Sequence, residues 1–172
     1  TVGKLTISGG EFKHASDTQE MIVDHYDASN SGTAAVTGGK FDADISKYIP
    51  TDYVQSADGT VEKLGETNAV AKVGGTYYKT LAVAAAQDGD TITLLKDAEL
   101  TSTLNLAKNI TIDGQGKYTI KAANSFTVGS DNKTYCVLYV SGEVTLKDVT
   151  VNGNEKCRVI FCDKGKLTND GA

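Results

Sequence analysis

Three aspartates offer the sharpest chemistry in this chain. Asp113, Asp148 and Asp163 each follow a short alternating apolar–polar segment, so strands stacked on one another could bring them to one face. Glycoside hydrolysis needs two carboxyl groups at a defined separation flanking the scissile bond. The same residues also suit turns, because an Asp at a strand end or before Gly, as in Asp113-Gly114, hydrogen-bonds its own backbone. The turn reading is preferred, and no catalytic residue is assigned.

Metal and ligand chemistry fare no better. Asp42 and Asp44 with Asp17, Asp24 and Asp27 could supply the oxygen ligands calcium takes, but they match no EF-hand spacing and no glycine–aspartate repeat. Asp44 is instead placed to cap a turn of helix over 45–49, which Pro50 helps to stop. His14 and His25 are the only histidines, too few for a closed zinc site without carboxylate help. No metal and no cofactor is expected. Tyr53, Tyr77 and Tyr78, with Tyr48, are candidates for ligand binding, since aromatic rings stack on sugar faces and anchor interfaces. Neighbours on a strand point to opposite sides, so only one of Tyr77 and Tyr78 can join a core. Cys136, Cys157 and Cys162 are odd in number and include no CxxC, which favours small buried hydrophobes over a disulfide framework. Asn109-Ile110-Thr111 and Asn132-Lys133-Thr134 match the glycosylation sequon, which carries meaning only in a eukaryotic secretory context.

These residues must be positioned by strands. The chain has 172 residues with 18 Gly, 21 Thr and 8 Tyr, one proline and no Trp. Thr and Tyr suit pleated, half-buried strands and Gly suits sharp turns, so the composition is that of an all-β protein. The net charge of −5 and the single arginine, Arg158, argue against a nucleic-acid surface. No apolar run approaches the roughly 18–20 residues of a membrane-spanning helix. The chain opens directly on a strand-like segment with no signal peptide and closes on Asn169-Asp170-Gly171-Ala172, so both ends read as cut from something longer.

Self-similarity is the strongest organisational signal. Leu5-Thr6-Ile7-Ser8-Gly9-Gly10-Glu11-Phe12 recurs 29 residues later as Ala34-Ala35-Val36-Thr37-Gly38-Gly39-Lys40-Phe41. Residues 17–32 between them are polar around Met21-Ile22-Val23. Tyr53-Val54-Gln55 and residues 60–64 flank Ala57-Asp58-Gly59, a hairpin turn signal. Ala69–Val73 and Thr76–Tyr78 flank Gly74-Gly75, a second one. Thr80 caps the one convincing helix, Leu81 to Gln87, which Asp88-Gly89 stops. Short strands follow over 91–95, 100–106, 109–112, 118–120, 126–128, 137–140, 144–146, 149–151 and 159–161. No helix intervenes, which excludes ordinary βαβ crossovers. Three short strands per circuit, at periods near 20–35 residues, predict a solenoid whose windings stack their inward apolar side chains.

Residues 78–81, 84–95 and Ile110-Thr111-Ile112-Asp113-Gly114-Gln115-Gly116 resemble the start of right-handed parallel β-helix (pectate-lyase-like) regions, most of all those of large repetitive bacterial cell-surface proteins. The resemblance implies that the short helix plugs the N-terminal end of the solenoid and that 110–116 and 144–153 belong to successive coils. Residues 38–49 resemble the closing motif of such solenoids. β-Helix polygalacturonases use clustered Asp, and pectate lyases use calcium with a basic residue. Their catalytic motif is not recognisable around Arg158, so no role is carried over.

The expected fold is therefore an all-β right-handed parallel β-helix with a short N-terminal capping hairpin and helix. Residues 1–49 would be the final coils and closing turn of one solenoid, 50–68 a hairpin-like linker, and 69–172 the cap and first coils of a second. The expected function is non-catalytic: a structural or adhesive segment of a secreted or surface-anchored bacterial protein, with any binding carried by the insertions at 13–33 and 129–135. The alternatives are a fragment of a carbohydrate-active β-helix lyase or hydrolase, and a glycan- or host-protein-binding module. The expected partners are the chain itself through open solenoid ends after residue 160, covered by coils of 1–41 from the same or a neighbouring chain, and a glycan or host surface ligand.

Overall fold

The computed structural model describes residues 3–14, 22, 32–87 and 90–172, and these are mostly β. They form two compact units, 1–65 and 66–172.

In the first unit, β1 (Lys4–Phe12) pairs in parallel with β2 (Thr33–Phe41). The 29-residue repeat is the register itself: Leu5 lies beside Ala34, Glu11 beside Lys40 and Phe12 beside Phe41. The two Phe rings stack 4.8 Å apart and nearly parallel, which places an apolar ladder where each strand turns inward. Ile22 belongs to the same core as Val36, Phe41, Ile45 and Tyr48, and its carbonyl accepts the Tyr48 hydroxyl. Met21 and Val23 of the predicted apolar stretch lie outside the described residues. The turn expected over 45–49 is a 3-10 turn over Ser46–Tyr48, and the Asp44 carboxylate accepts the Ser46 N–H at 2.9 Å. β3 (Tyr53–Gln55) and β4 (Val61–Lys63) form the antiparallel hairpin read from Ala57-Asp58-Gly59, and Val61 is buried in the first unit's core.

In the second unit, β5 (Ala71–Val73) and β6 (Thr76–Tyr78) form the Gly-Gly hairpin. The Thr80 hydroxyl accepts the Val83 N–H and opens α1 (Leu81–Ala84), shorter than the seven residues expected. The next ten strands are β7 (Thr91–Leu94), β8 (Ala98–Ser102), β9 (Leu104–Leu106), β10 (Ile110–Asp113), β11 (Thr119–Thr127), β12 (Cys136–Val140), β13 (Glu143–Lys147), β14 (Thr150–Asn152), β15 (Arg158–Cys162) and β16 (Lys166–Asp170). They enter three sheets in rotation. β7, β10, β13 and β16 are parallel in one, β8, β11 and β14 in the second, and β9, β12 and β15 in the third. Inward side chains stack along each: Ile92, Ile112 and Leu146 in the first, and Leu104, Leu138 and Ile160 in the third.

Three strands differ from the sequence pattern. The predicted 100–106 strand is broken at Thr103, whose hydroxyl caps the Cys136 and Thr134 carbonyls instead of joining a ladder. Residues 118–120 and 126–128 belong largely to one long strand, β11, with an irregularity after Ala122. β16 was not legible at all, since Lys166-Leu167-Thr168-Asn169-Asp170 shows one apolar residue in five.

Candidate functional site

Among the described residues, the insertion at 129–135 is a polar segment that the fold both orders and displays. Asp131 organises it. Its carboxylate accepts the Lys133 N–H at 2.9 Å and both the N–H and the hydroxyl of Thr134 at 2.8 Å, while Gly129 donates to the Thr134 carbonyl at 2.9 Å. The Thr134 bonds hold the Asp131 carboxyl below the usual carboxylate range.

Tied in this way, the loop brings its side chains to the outer face of β12 and β15. Arg158 donates to the Asn132 side-chain carbonyl at 2.6 Å and lies 5.7 Å over the Tyr135 ring. Lys133 stands 5.5 Å over the Tyr139 ring and 3.8 Å from the Asp163 carboxylate. Tyr139 and Phe161, partners in the ladder, stack with centroids 6.0 Å apart. Tyr135 is 41% exposed. The result is two neighbouring pairs along this face, the Arg158 guanidinium over the Tyr135 ring and the Lys133 ammonium over the Tyr139–Phe161 stack, with Asn132 and Asp163 as their polar partners. Rings of this kind give flat apolar area, and the polar rim gives directional hydrogen bonds. It contains no nucleophile paired with a base.

The three aspartates are not brought together. Asp113 ends β10 and Asp148 follows β13, at adjacent positions of one sheet, whereas Asp163 follows β15 in another. Asp113 accepts from the Lys147 ammonium at 3.1 Å and from the Gln115 N–H at 2.8 Å. That carboxylate raises the Lys147 pKa, chiefly through the hydrogen bond. Asp148 sits at φ +44°, and its backbone does the turning: its N–H donates to the Asp170 carbonyl and its carbonyl accepts from Gly116. Each of the three carboxylates thus lies at a strand end or in an ion pair.

The tyrosines are likewise dispersed. Tyr53 lies on β3 and packs against the first unit's core. Tyr78 packs against the second unit's core, and Tyr77, opposite Lys72 in the hairpin, points the other way. Tyr139 and Phe161, which do stack, and Tyr135 under Arg158 were missed. The usable signal was the loop, whose Asn132 and Lys133 reach Arg158 and the Tyr139 ring. Among the described residues no group of three or more His, Cys, Asp or Glu side chains is placed to hold a metal. Asp17, Asp24, Asp27 and His25 lie outside the described residues, while Asp42 accepts the His14 N–H at 2.8 Å. Cys136 is buried, Cys157 half-buried and Cys162 exposed, all as free thiols, and burial pushes the Cys136 and Cys157 thiols up.

A second feature lies on the outer face of the first sheet. Thr91, Thr111, Thr145 and Thr168 stand in one row across β7, β10, β13 and β16. Comparison with protein-family models, curated proteins and solved structures gives no match for this chain.

Proposed function

We propose that this chain is a non-catalytic structural and adhesive segment of a secreted or surface-anchored bacterial β-solenoid protein, with residues 66–172 wound as a right-handed parallel β-helix behind a hairpin-and-helix cap. The observation that carries the reading is the rotation of ten successive strands through three parallel sheets, each with its own inward apolar ladder. Such windings are stiff, because every strand is held on both sides except at the two ends. The right-handed sense is what the resemblance implies.

The adhesive part of the reading rests on the exposed Tyr135 under Arg158 and on the Tyr139–Phe161 stack under Lys133, with Asn132 beside them, whose ligand class would be a glycan or a host surface protein. The test is a panel of polysaccharides and immobilised glycans and matrix proteins. The full chain should release no reducing ends or unsaturated products, and it should be retained on part of the panel, with retention lost in Tyr135→Ala. Cleavage abolished by substituting Asp113, Asp148 or Asp163 would replace this reading with an enzyme. Retention unchanged in Tyr135→Ala would remove the proposed surface.

A further inference from the structure

The second sheet, of β8, β11 and β14, is interrupted in its middle strand. β11 pairs with β8 at Ala122 beside Leu100 and again at Thr127 beside Ser102, so residues 123–126 stand opposite Thr101 alone. Four residues against one take the strand out of the ladder, and Asn124 and Ser125 in this excursion are exposed. The turn after β14 lies on the other side. A Cβ on Gly153 would sit 2.3 Å from the Cys157 carbonyl oxygen, so this turn closes only on a glycine. The next two residues, Asn154 and Glu155, sit at φ +50° and +57°. Non-glycine residues hold this conformation only where their surroundings fix them, and such positions gather at binding sites. The Asn154 N–H donates to Asn152 Oδ1 at 2.7 Å. Its side-chain amide reaches back to β11, donating to the Ala122 carbonyl at 3.2 Å and to Asn124 Oδ1 at 3.4 Å.

Between the excursion and the turn lies a recess of about 380 Å³, within the roughly 300–1,000 Å³ of small-molecule sites. Its centre is β11, which has a paired strand on each side, so three successive windings build it. Glu99, Lys121 and Asn152 stand in one row across those windings. Lys121 lies 3.0 Å from the Glu99 carboxylate and 3.9 Å from that of Asp97, so its charge is already matched. The rest of the lining is neutral and polar. Among the described residues, the side-chain N–H groups of Asn124 and Asn152 and the Ser125 hydroxyl are exposed and carry no hydrogen bond. Ala122 and Ala123, in the same lining, are buried and too small to fill the space.

We propose that this recess binds one ring of a neutral sugar chain. A sugar hydroxyl both donates and accepts, and the lining offers both: amide N–H groups and a hydroxyl as donors, the Glu99 carboxylate and the Asn154 side-chain carbonyl as acceptors. An acidic ring would meet Glu99 with no cation to spare, since Lys121 is paired, and a cationic group would meet the Lys121 ammonium. The recess lies on a different sheet from Tyr135, Tyr139 and Arg158, and it stands whether or not that face is adhesive. One ring in an open recess binds with a dissociation constant on the order of millimolar. That is too weak to retain the chain on an immobilised panel, so the two sites are read by separate measurements.

The test is an NMR titration of the isotope-labelled full chain with cellotetraose, maltotetraose and galactotetraose, and with tetragalacturonate as the acidic comparison. At least one neutral probe should shift the side-chain amide signals of Asn124 and Asn152 saturably, and tetragalacturonate should shift them less. Asn124→Ala and Asn154→Gly should each lose the saturable shifts. Glycine keeps the left-handed backbone at 154, so that variant removes the amide and leaves the turn. Unchanged signals from the first and third sheets verify that both variants fold. Tyr135→Ala should respond as wild type does. The absence of a saturable shift with all three neutral probes would overturn the proposal, as would a stronger response to tetragalacturonate. Shifts that survive in both asparagine variants, or that vanish in Tyr135→Ala, would place the sugar elsewhere and overturn it equally.

Discussion

Asp58 ties together the turn between β3 and β4. Its carboxylate accepts from the Ser56 hydroxyl at 2.6 Å, from the Thr60 N–H and hydroxyl at 3.1 and 3.0 Å, and from Lys40 at 3.3 Å. These bonds, the Ser56 one first, hold its pKa far below the usual carboxylate range. A carboxylate depressed in the folded state contributes stability that is complete above its unfolded pKa, near 3.9, and fades as pH falls from there toward the folded value. Asp58→Asn should therefore lower the urea midpoint of the first unit at pH 7, and the gap to wild type should shrink progressively below about pH 4. A gap that is constant from pH 7 to pH 2 would show that the charge is irrelevant. Lys147 works with the opposite sign. Its raised pKa means that its pairing with Asp113 stabilises below the unfolded lysine pKa and is lost as pH climbs through the folded one.

Position in the stack decides what a strand residue is worth. Ile112 on β10 is fully buried between Ile92 and Leu146, with a strand on each side. Ile112→Ala should cost about 2–5 kcal/mol, because a cavity in a doubly covered ladder has little room to relax. Leu167 on β16 has a partner on one side only and is partly exposed, so Leu167→Ala should cost well under half of that. Denaturant titration of the two variants gives the ratio directly. At the start of the stack, Thr80→Ala removes the bond to Val83 that opens α1 and should cost about 1 kcal/mol. The hairpin and α1 supply Ala71, Val73, Leu81 and Ala84 to the same core as the ladders. The loss should therefore appear as a lower midpoint for the whole second unit, and not as local fraying.

Across the molecule, the described residues carry two separate apolar clusters, one in each unit. Native-state hydrogen exchange should follow that division. Ile112→Ala should speed exchange in the strands of 66–172 and leave 32–65 near wild type, with Asp58→Asn doing the reverse. Uniform acceleration in both variants would mean one cooperative unit.

What the sequence determined by itself was local. The Gly-Gly-x-Phe repeat at a 29-residue spacing, the two hairpin turns, the Thr80 cap and the period-two bursts are set by turn chemistry and side-chain alternation, which neighbouring residues decide. The all-β class followed from these. Only the tertiary structure decided the rest, because register and loop packing depend on residues far apart in sequence. β16 has almost no apolar pattern of its own and is a strand because β13 lies beside it. Thr103 breaks a run that reads as continuous because its hydroxyl finds carbonyls about 30 positions away in sequence. Asp163, read from its local context as an equal of Asp113 and Asp148, is carried to another sheet. Tyr139 and Phe161, with nothing in their spacing to link them, become neighbours because parallel strands stack them, and Asp131 holds the insertion that sets Lys133 over Tyr139.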